Sequence, residues 1–320
     1  MGSKERAATV GCPLVTTQGV QLGPQSVAGK FSLFARDIKI SHTVFAMPWA
    51  LLAMVMAGHE TAGGLTVGKI GLIVVCMIAA RTVAMASNRL LDAKLDALNP
   101  RTARRAIPAG MISRGFYLAM LVACAGIFVA ACAGFWWGYR NVWPIALAIP
   151  VLGFVGAYPL LKRFTEACHY YLGAALALAP VCAWVAIRGS VAPPPLLMAG
   201  AVLGWTAGFD IIYACQDFEC DVAGGLHSVP ARLGIGRALW VSRVTHAASA
   251  AFMVLLWISS PQLHAAFGVG VAIAIGLLIV EHWLVRPTDL RKVGLAFFTV
   301  NGIISTLLGG LGILDVLMSR

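Results

Sequence analysis

The sequence predicts an all-α polytopic membrane protein with nine transmembrane helices. Of its 320 residues, 59% are hydrophobic and only 12% are charged, and the mean hydropathy is +0.83. Soluble domains carry roughly 25% charged residues, so this chain has too few charges to cover a soluble surface of its length. The composition therefore excludes an ordinary soluble enzyme, a disordered chain and a coiled coil.

Nine apolar runs are long enough to cross a membrane, which takes about 20 residues in a helix. Helices are predicted because a backbone in lipid must pair its polar groups within the segment, and the runs lack the alternation of barrel strands. Residues 1–30 are expected to form a flexible cytoplasmic tail, and residues 31–320 a single nine-helix domain. The runs cover residues 40–58, 66–87, 114–134, 142–158, 168–187, 196–214, 238–258, 266–285 and 295–318.

The distribution of charge predicts how these helices are oriented. Lys and Arg total 24 against 13 Asp and Glu, a net charge of +11. Most basic residues lie in the N-terminal segment and in the loops after the second, fourth, sixth and eighth runs, which share one side. The positive-inside rule makes that side, with the N-terminus, cytoplasmic and puts the C-terminus outside an inner (plasma) membrane. The lipid bilayer thus explains the basic excess, and no nucleic-acid partner is predicted.

Six of the 13 acidic residues lie in two short segments, the first of which follows the second apolar run. Asn88, Asp92 and Asp96 are spaced four residues apart, which places them on one face of a helix. Two ionised carboxylates at this spacing repel each other and favour a bound cation. Such oxygen ligands suit Mg²⁺, which is typically held by one or two carboxylates and substrate phosphates. The alternative is a solvated helix end.

The second acidic segment ends the sixth run. Asp210, Asp217 and Asp221 are separated by seven and four residues, so they share a helix face with Tyr213. Asp210 lies inside an apolar run, where an ionisable residue is a functional hypothesis by default; the alternative is a buried acid paired with an arginine. Because both acidic segments lie on one side of the membrane, together they predict a two-metal clamp for a diphosphate.

Basic side chains are expected to complete this clamp, because guanidinium and ammonium groups bind phosphate oxygens. Arg81 is the sharpest candidate, since it lies in an apolar run seven residues before Asn88, on the same helix face. For Arg101 and Arg104, an ordinary positive-inside charge is an equally weighted alternative. The further candidates are Lys94, Arg101, Arg104, Arg105, Lys162 and Arg163.

Four motifs in this order resemble the signatures of the UbiA-type intramembrane prenyltransferases, over residues 31–320. Each motif alone is weakly specific, whereas the four together, in the expected loops, are strongly specific. The resemblance implies nine helices around a central cavity that opens to the cytoplasmic side. The motifs are Arg81 with the Asn88, Asp92 and Asp96 repeat, the stretch 100–110, the stretch 158–165 with Tyr158 and Lys162, and the Asp210, Tyr213, Asp217 and Asp221 repeat.

The resemblance also implies a reaction, the Mg²⁺-dependent transfer of a polyprenyl chain from an allylic polyprenyl diphosphate to an aromatic acid in quinone biosynthesis. The residues implied to hold the metal, and to be catalytic, are Asp92, Asp96, Asp217 and Asp221. Tyr158 joins the catalytic set, because its ring face can stabilise the allylic cation. The residues predicted to bind the diphosphate are Asn88, Arg81, Lys162 and Arg105. Those predicted to bind the acceptor are Asp210, Tyr213 and His42.

The segments 210–219 and 225–232 resemble the 4-hydroxybenzoate polyprenyltransferase-like branch of this family. Part of that branch is associated with a menaquinone route, so the same chemistry on 1,4-dihydroxy-6-naphthoate is the alternative. Arg89 departs from the family pattern, in which an acid often follows the Asn. This departure leaves the number of ligands at the first metal open.

Two other classes of membrane protein compete with the prenyltransferase interpretation. A transporter would use intramembrane acids as an ion path, whereas most acids here lie at helix ends on one side. A CDP-alcohol phosphotransferase would need a DG-xx-AR stretch before spaced aspartates, and the sequence lacks it. The enzyme is therefore favoured, with the transporter kept as the alternative of another class.

Overall fold

The computed structural model describes residues 26–38, 44–61 and 63–319, without the side chains of residues 295 and 296. Within these ranges the secondary structure is helical, apart from an isolated bridge between Arg286 and Asp289. The all-α prediction is therefore confirmed. Most of the predicted N-terminal tail lies outside the described residues, and the first helix, α1, covers Val27–Asp37.

Eight helical spans in the described ranges are long and apolar enough to cross a membrane, and they match the second to ninth predicted runs. The earlier helices are α2 (Met47–His59), α3 (Val67–Leu98), α4 (Arg114–Tyr139), α5 (Trp143–Leu161) and α6 (Cys168–Arg188). The later helices are α7 (Pro193–Ala214), α8 (Phe218–Ala223), α9 (Val229–Leu233), α10 (Ile235–Ser259), α11 (Ala265–Leu284), α12 (Val293–Leu295) and α13 (Asn301–Met318), with a π-helical segment Ala296–Val300 before α13.

Helix α2 matches the first predicted run but is shorter than expected. Its 13 residues extend about 20 Å at roughly 1.5 Å per residue, less than the roughly 30 Å of a bilayer core. Pro48 stands in its first turn, where a missing N–H costs nothing. The side chains of Trp49, Leu52 and Met56 are fully buried, so α2 is enclosed by the other helices.

The largest apolar cluster joins α2 to α6, α7, α10, α11 and α13. Trp49 of α2 packs against Trp205 of α7, with ring centroids 6.5 Å apart. A Cβ atom at Gly309 of α13 would lie 2.5 Å from the Cβ of Pro48, so the glycine is what allows α13 to approach α2 closely. This cluster fixes α7, which carries the second acidic segment.

Helix α3 positions the first acidic segment by its length. It has 32 residues, or about 48 Å, and it packs against α4 and α5. Since this exceeds a bilayer core of roughly 30 Å, the last turns with Asn88, Asp92 and Asp96 extend beyond the apolar part of the helix.

The second acidic segment is interrupted by a 3₁₀ turn, although its spacing predicts a single helix face. Helix α7 ends at Ala214, a 3₁₀ turn covers Cys215–Asp217, and α8 follows. The N–H of Cys215 donates to the carbonyl of Ile212 three residues earlier, which is the bonding pattern of a 3₁₀ helix. Asp217 therefore lies on the turn and Asp221 on a separate short helix.

Candidate functional site

A cavity of about 630 Å³ lies between the ends of α3, α5, α7 and α8 and contains both acidic segments. His42 lies outside the described residues. The other predicted site residues all line the cavity: Arg81, Asn88, Asp92, Asp96, Arg105, Tyr158, Lys162, Asp210, Tyr213, Asp217 and Asp221. The structure therefore brings together side chains that are far apart in the sequence.

Asp92 is the most deeply buried carboxylate of the cavity, with a side chain 1% exposed. Lys162 Nζ lies 2.7 Å from its Oδ2, and Arg163 lies 3.3 Å from its Oδ1. The amide of Asn88 also donates to Oδ2, at 3.0 Å. A buried charge requires such partners because burial removes its hydration.

Asp96 and Asp221 also have partners within the protein. The guanidinium of Arg105 lies 2.7 Å and 2.8 Å from the two carboxylate oxygens of Asp96. The hydroxyl of Ser228 donates to Asp221 Oδ2 at 2.8 Å. Thr102 donates to the backbone carbonyl of Asp96 at 3.0 Å, which holds the loop of Arg105 against the end of α3.

Arg101 lies in the loop after the first acidic segment and contacts the second one directly. Its Nε and one terminal nitrogen donate to the two oxygens of Asp217 at 2.8 Å and 2.5 Å, and its other terminal nitrogen donates to the Tyr213 hydroxyl at 2.8 Å. Asn99 donates to the same carboxylate at 2.8 Å. Burial lowers the pKa of Arg101, but the hydrogen bond and charge of Asp217 outweigh this effect and raise that pKa above its ordinary value.

A buried network behind the cavity holds Asn88. Arg89 bonds Asp37 through Nε at 3.0 Å and donates to Asn88 Oδ1 at 2.8 Å. Asp37 also accepts from the Tyr117 hydroxyl at 2.5 Å and from the N–H of Ala106 at 3.1 Å. Arg89 thus joins α1 to α3. Because Arg89 occupies the Asn88 side-chain oxygen, the Asn88 NH₂ group is oriented to donate to Asp92.

A second, apolar cavity of about 170 Å³ adjoins the first. It runs between α3, α4, α5 and α6, and Ala179, Cys182, Ala183 and Ala186 lie along its α6 wall. Arg81 has a buried Nε that lacks a hydrogen-bond partner in the described ranges. The residues that line both cavities are Arg81, Met85, Tyr158, Leu172 and Leu176. Arg81 and Tyr158 therefore mark the junction of a polar and an apolar compartment.

The sequence alone left the role of some site residues open, and it did not indicate others at all. Arg101 and Arg163 contact carboxylates, whereas the exposed side chains of Lys94 and Arg104 form no ion pair with the described residues. The stretch of proline and arginines that follows Asp96 was the sequence feature that could have indicated a role for Arg101 in the site. His169, which hydrogen-bonds Asp210, carried no sequence signal, because it lies 41 residues away in an apolar helix.

The acidic residues suit a metal that shares its ligands with a substrate. In the described part of the chain, no group of three or more His, Cys, Asp or Glu side chains could hold a metal ion alone. The donors are carboxylate oxygens on the wall of a cavity, which fit Mg²⁺ when phosphate oxygens supply its remaining ligands.

Comparison with known proteins gives a consistent result. The sequence profile of the UbiA prenyltransferase family matches residues 46–303. The chain is 33% identical to a mitochondrial 4-hydroxybenzoate polyprenyltransferase of Arabidopsis thaliana, over 48% of this chain and 37% of that protein. It is 27% identical to a 4-hydroxybenzoate octaprenyltransferase of Tolumonas auensis, over 69% of this chain and 75% of that protein.

Solved structures share the fold. The apo structure of a UbiA homolog from Aeropyrum pernix K1 superposes with a TM-score of 0.75 at 29% identity, over 86% of this chain and 98% of that one. A UbiA homolog from Archaeoglobus fulgidus bound to DMAPP and Mg²⁺ has a TM-score of 0.66 at 18% identity, over 88% and 98% of the two chains. The relatives are prenyltransferases, and they do not support the transporter alternative. Since the profile covers most of its length, the chain belongs to the UbiA prenyltransferase family.

Proposed function

We propose that this protein transfers a polyprenyl chain from an allylic diphosphate to an aromatic acid of the 4-hydroxybenzoate kind. The observation that carries the proposal is the junction of the two cavities. Carboxylates and cations line the larger cavity, and Arg81 and Tyr158 separate it from an apolar one. This arrangement suits a substrate with a diphosphate head and a hydrocarbon tail. The relatives named 4-hydroxybenzoate prenyltransferases support the acceptor class.

When the diphosphate binds, the Lys and Arg side chains of the site would exchange their carboxylate partners for phosphate oxygens. Mg²⁺, when bound, would neutralise the diphosphate and make it a better leaving group. The residues proposed to hold the metal are Asp92, Asp96, Asp217 and Asp221, with Asn88 supporting Asp92. Lys162, Arg105 and Arg101 pair with these carboxylates, and they would turn to the phosphate oxygens once the carboxylates bind metal. Arg81, whose Nε lacks a hydrogen-bond partner among the described residues, is placed to bind the same head group.

The residues at and beyond the cavity junction would stabilise the allylic cation and shield it from water. The allylic carbon would lie beside the ring of Tyr158, whose π face stabilises a cation. The apolar cavity has Leu172, Leu176 and Ala179 on its wall. These side chains would exclude water, which would otherwise quench the allylic cation.

The proposal includes an orientation in the membrane. Helix α2 would act as the ninth, shorter helix, embedded among the eight long ones. The cavity would open to the cytoplasm, because the basic loops lie at its mouth. The N-terminus would be cytoplasmic and the C-terminus outside the inner (plasma) membrane. Residues 31–320 would form one domain.

The direct test is an assay with purified protein in lipid nanodiscs. Radiolabelled geranyl diphosphate, Mg²⁺ and 4-hydroxybenzoate should give a prenylated, lipid-soluble acid. A panel of aromatic acids that includes 1,4-dihydroxy-6-naphthoate would rank the acceptors. Asp92→Asn and Asp217→Asn should abolish product formation. If no acceptor is prenylated, or if both variants keep full activity, the proposal is wrong.

A further inference from the structure

Arg243 is a charged residue inside a membrane-spanning helix, and it lines neither cavity. It is the ninth residue of α10, and α10 contains no acidic residue. Helix α11 packs against α10, but its one acid, Glu281, is fully buried and accepts a hydrogen bond from Asn301. Among the described residues, Arg243 has no ion-pair partner. Because an unpaired charge in an apolar span is costly, its counter-charge is expected from a bound ligand.

The guanidinium of Arg243 points toward the end of α10 that lies on the side of the polar cavity. The short α9, whose N-cap Ser228 lines that cavity, leads directly into α10. Helix side chains tilt toward the N-terminus, and the Arg243 guanidinium carbon lies 5.0 Å from the ring centroid of Trp240, one turn earlier. Trp240 follows the start of α10, Ile235, by roughly 8 Å along the helix axis. The charge therefore lies near the membrane surface, at the level where tryptophans mark the lipid head groups.

The surface around Arg243 is apolar and exposed, as expected of a helix face that contacts lipid. Trp240 is 64% exposed, and Trp283, near the end of α11, is 80% exposed. On α10 the exposed face continues away from the membrane surface with Val244 and Ile258, whose spacing keeps them on the side of Trp240. A ligand bound at Arg243 can therefore have an acyl chain that runs along α10.

Further basic side chains lie around this site. Val285, which follows α11, packs with the start of α10 in one apolar cluster, and the adjoining residues Arg286 and Arg237 have exposed side chains. The one acid of the loop after α11, Asp289, pairs with Arg291. The basic side chains here that form no ion pair with the described residues are Arg237, Arg243, Arg286 and Lys292. This surface therefore has a net positive charge.

We propose that Arg243 binds the phosphate of an anionic phospholipid, in the leaflet on the side of the cavity mouth. Its planar guanidinium can donate two parallel hydrogen bonds to phosphate oxygens, and the ring of Trp240 orients it. The unpaired Arg237 and Arg286 favour a lipid with a net negative charge over a zwitterionic one. A phospholipid thus supplies both the missing counter-charge and an acyl chain that covers the exposed face of α10. The inference is independent of the prenyl-transfer reaction.

Native mass spectrometry of the purified protein, titrated with phosphatidylglycerol, would measure this binding. The wild-type protein should bind phosphatidylglycerol at least about tenfold more tightly than phosphatidylcholine with the same acyl chains, because only the former is anionic. Arg243→Gln should raise the Kd for phosphatidylglycerol about fivefold, the effect of one basic residue at an anionic surface. Arg243→Lys keeps the charge and should stay within about threefold of the wild-type Kd. Trp240→Leu keeps the charge but loses the ring that orients it, and should raise the Kd about threefold.

Arg114, the exposed first residue of α4, provides the matched control. Arg114→Gln removes one positive charge on the same side of the membrane and should leave the Kd for phosphatidylglycerol unchanged. Thermal stability in phosphatidylcholine nanodiscs should be equal for all variants, which separates lost lipid binding from lost folding. If Arg243→Gln were unstable, Trp240→Leu would decide, and a wild-type Kd in that variant would overturn the inference.

Other outcomes of the titration would also overturn it. They are a wild-type protein that binds the two lipids equally, an unchanged Kd in Arg243→Gln, and equal losses in Arg243→Gln and Arg114→Gln. Displacement of the lipid by inorganic phosphate would assign the site to a free anion. A dimer without bound lipid would assign this face of α10 to a second copy of the chain.

Discussion

Lys162 Nζ lies 2.7 Å from Oδ2 of Asp92, a carboxylate that is 1% exposed. The lysine itself is 30% exposed and lines the cavity. It can therefore turn from the carboxylate to a ligand in the cavity without opening the helix packing. Without substrate the lysine neutralises Asp92, and with metal and diphosphate present the same charge becomes available to phosphate oxygens.

This exchange predicts the effect of removing the lysine charge. Lys162→Met should raise the KM for geranyl diphosphate and lower kcat/KM roughly 100-fold, because a charged donor to the leaving group is lost. Steady-state kinetics in nanodiscs would measure both constants. Lys94→Met, at an exposed position on α3, is the matched control and should behave like the wild-type protein. Equal kinetics for the two variants would contradict the exchange.

The partners of the carboxylates predict that metal and diphosphate bind together. The described residues provide no group of three or more ligands for a metal alone, and Arg101, Arg105 and Lys162 occupy the carboxylates. Mn²⁺, used as a paramagnetic substitute for Mg²⁺, should bind weakly to the free protein. Its affinity should rise at least tenfold with a non-hydrolysable geranyl diphosphate analogue, since phosphate oxygens supply the missing ligands.

Electron paramagnetic resonance of free Mn²⁺ would measure this change. Asp217→Asn should remove most of the increase, and EDTA should abolish prenyl transfer until Mg²⁺ is restored. Tight Mn²⁺ binding without the analogue would show that a complete metal site exists before the substrate arrives.

The pair of Arg89 and Asp37 predicts a stability effect rather than a kinetic one. Their side chains are 3% and 10% exposed, and breaking a buried ion pair by removing one partner costs about 3–5 kcal/mol. Arg89→Met should therefore lower the free energy of unfolding by roughly that amount, and Asp37→Asn should act in the same direction. Equilibrium unfolding in mixed micelles would measure both changes.

Asp289 and Arg291 form an exposed pair that serves as the control for this experiment. Asp289→Asn should leave the unfolding free energy unchanged, because surface ion pairs contribute little. If Arg89→Met were as stable as the wild-type protein, the buried network would not hold α1 to α3.

Sequence periodicity could predict the parts of the site that repeat within one helix. Asn88, Asp92 and Asp96 share a face of α3, and both their spacing and the scarcity of acids elsewhere mark them. Partners on other elements leave no such periodicity: Arg101 meets Asp217 across 116 residues, and Arg89 meets Asp37 across 52. The 3₁₀ turn after Ala214 was missed for a related reason, since such a turn depends on local hydrogen bonding and not on the hydrophobic pattern.

The apolar cavity predicts a limit on the length of the donor. Along α6, Leu172 and Leu176 line both cavities, whereas Ala179 and Ala183 line only the apolar one. Ala179 is seven residues beyond Leu172, or roughly 10 Å along the helix. Ala179→Phe should therefore obstruct the tail of a long donor while the diphosphate site stays intact.

The expected result is a change in donor preference. The ratio of kcat/KM for an octaprenyl donor to that for geranyl diphosphate should fall at least tenfold in Ala179→Phe, because a phenylalanine at this depth meets only the longer tail. Each preparation is its own control, since the two donors share one head group and one acceptor. Equal losses with both donors would indicate a general packing defect, which overfilling of a core produces, and would place the tail outside this cavity.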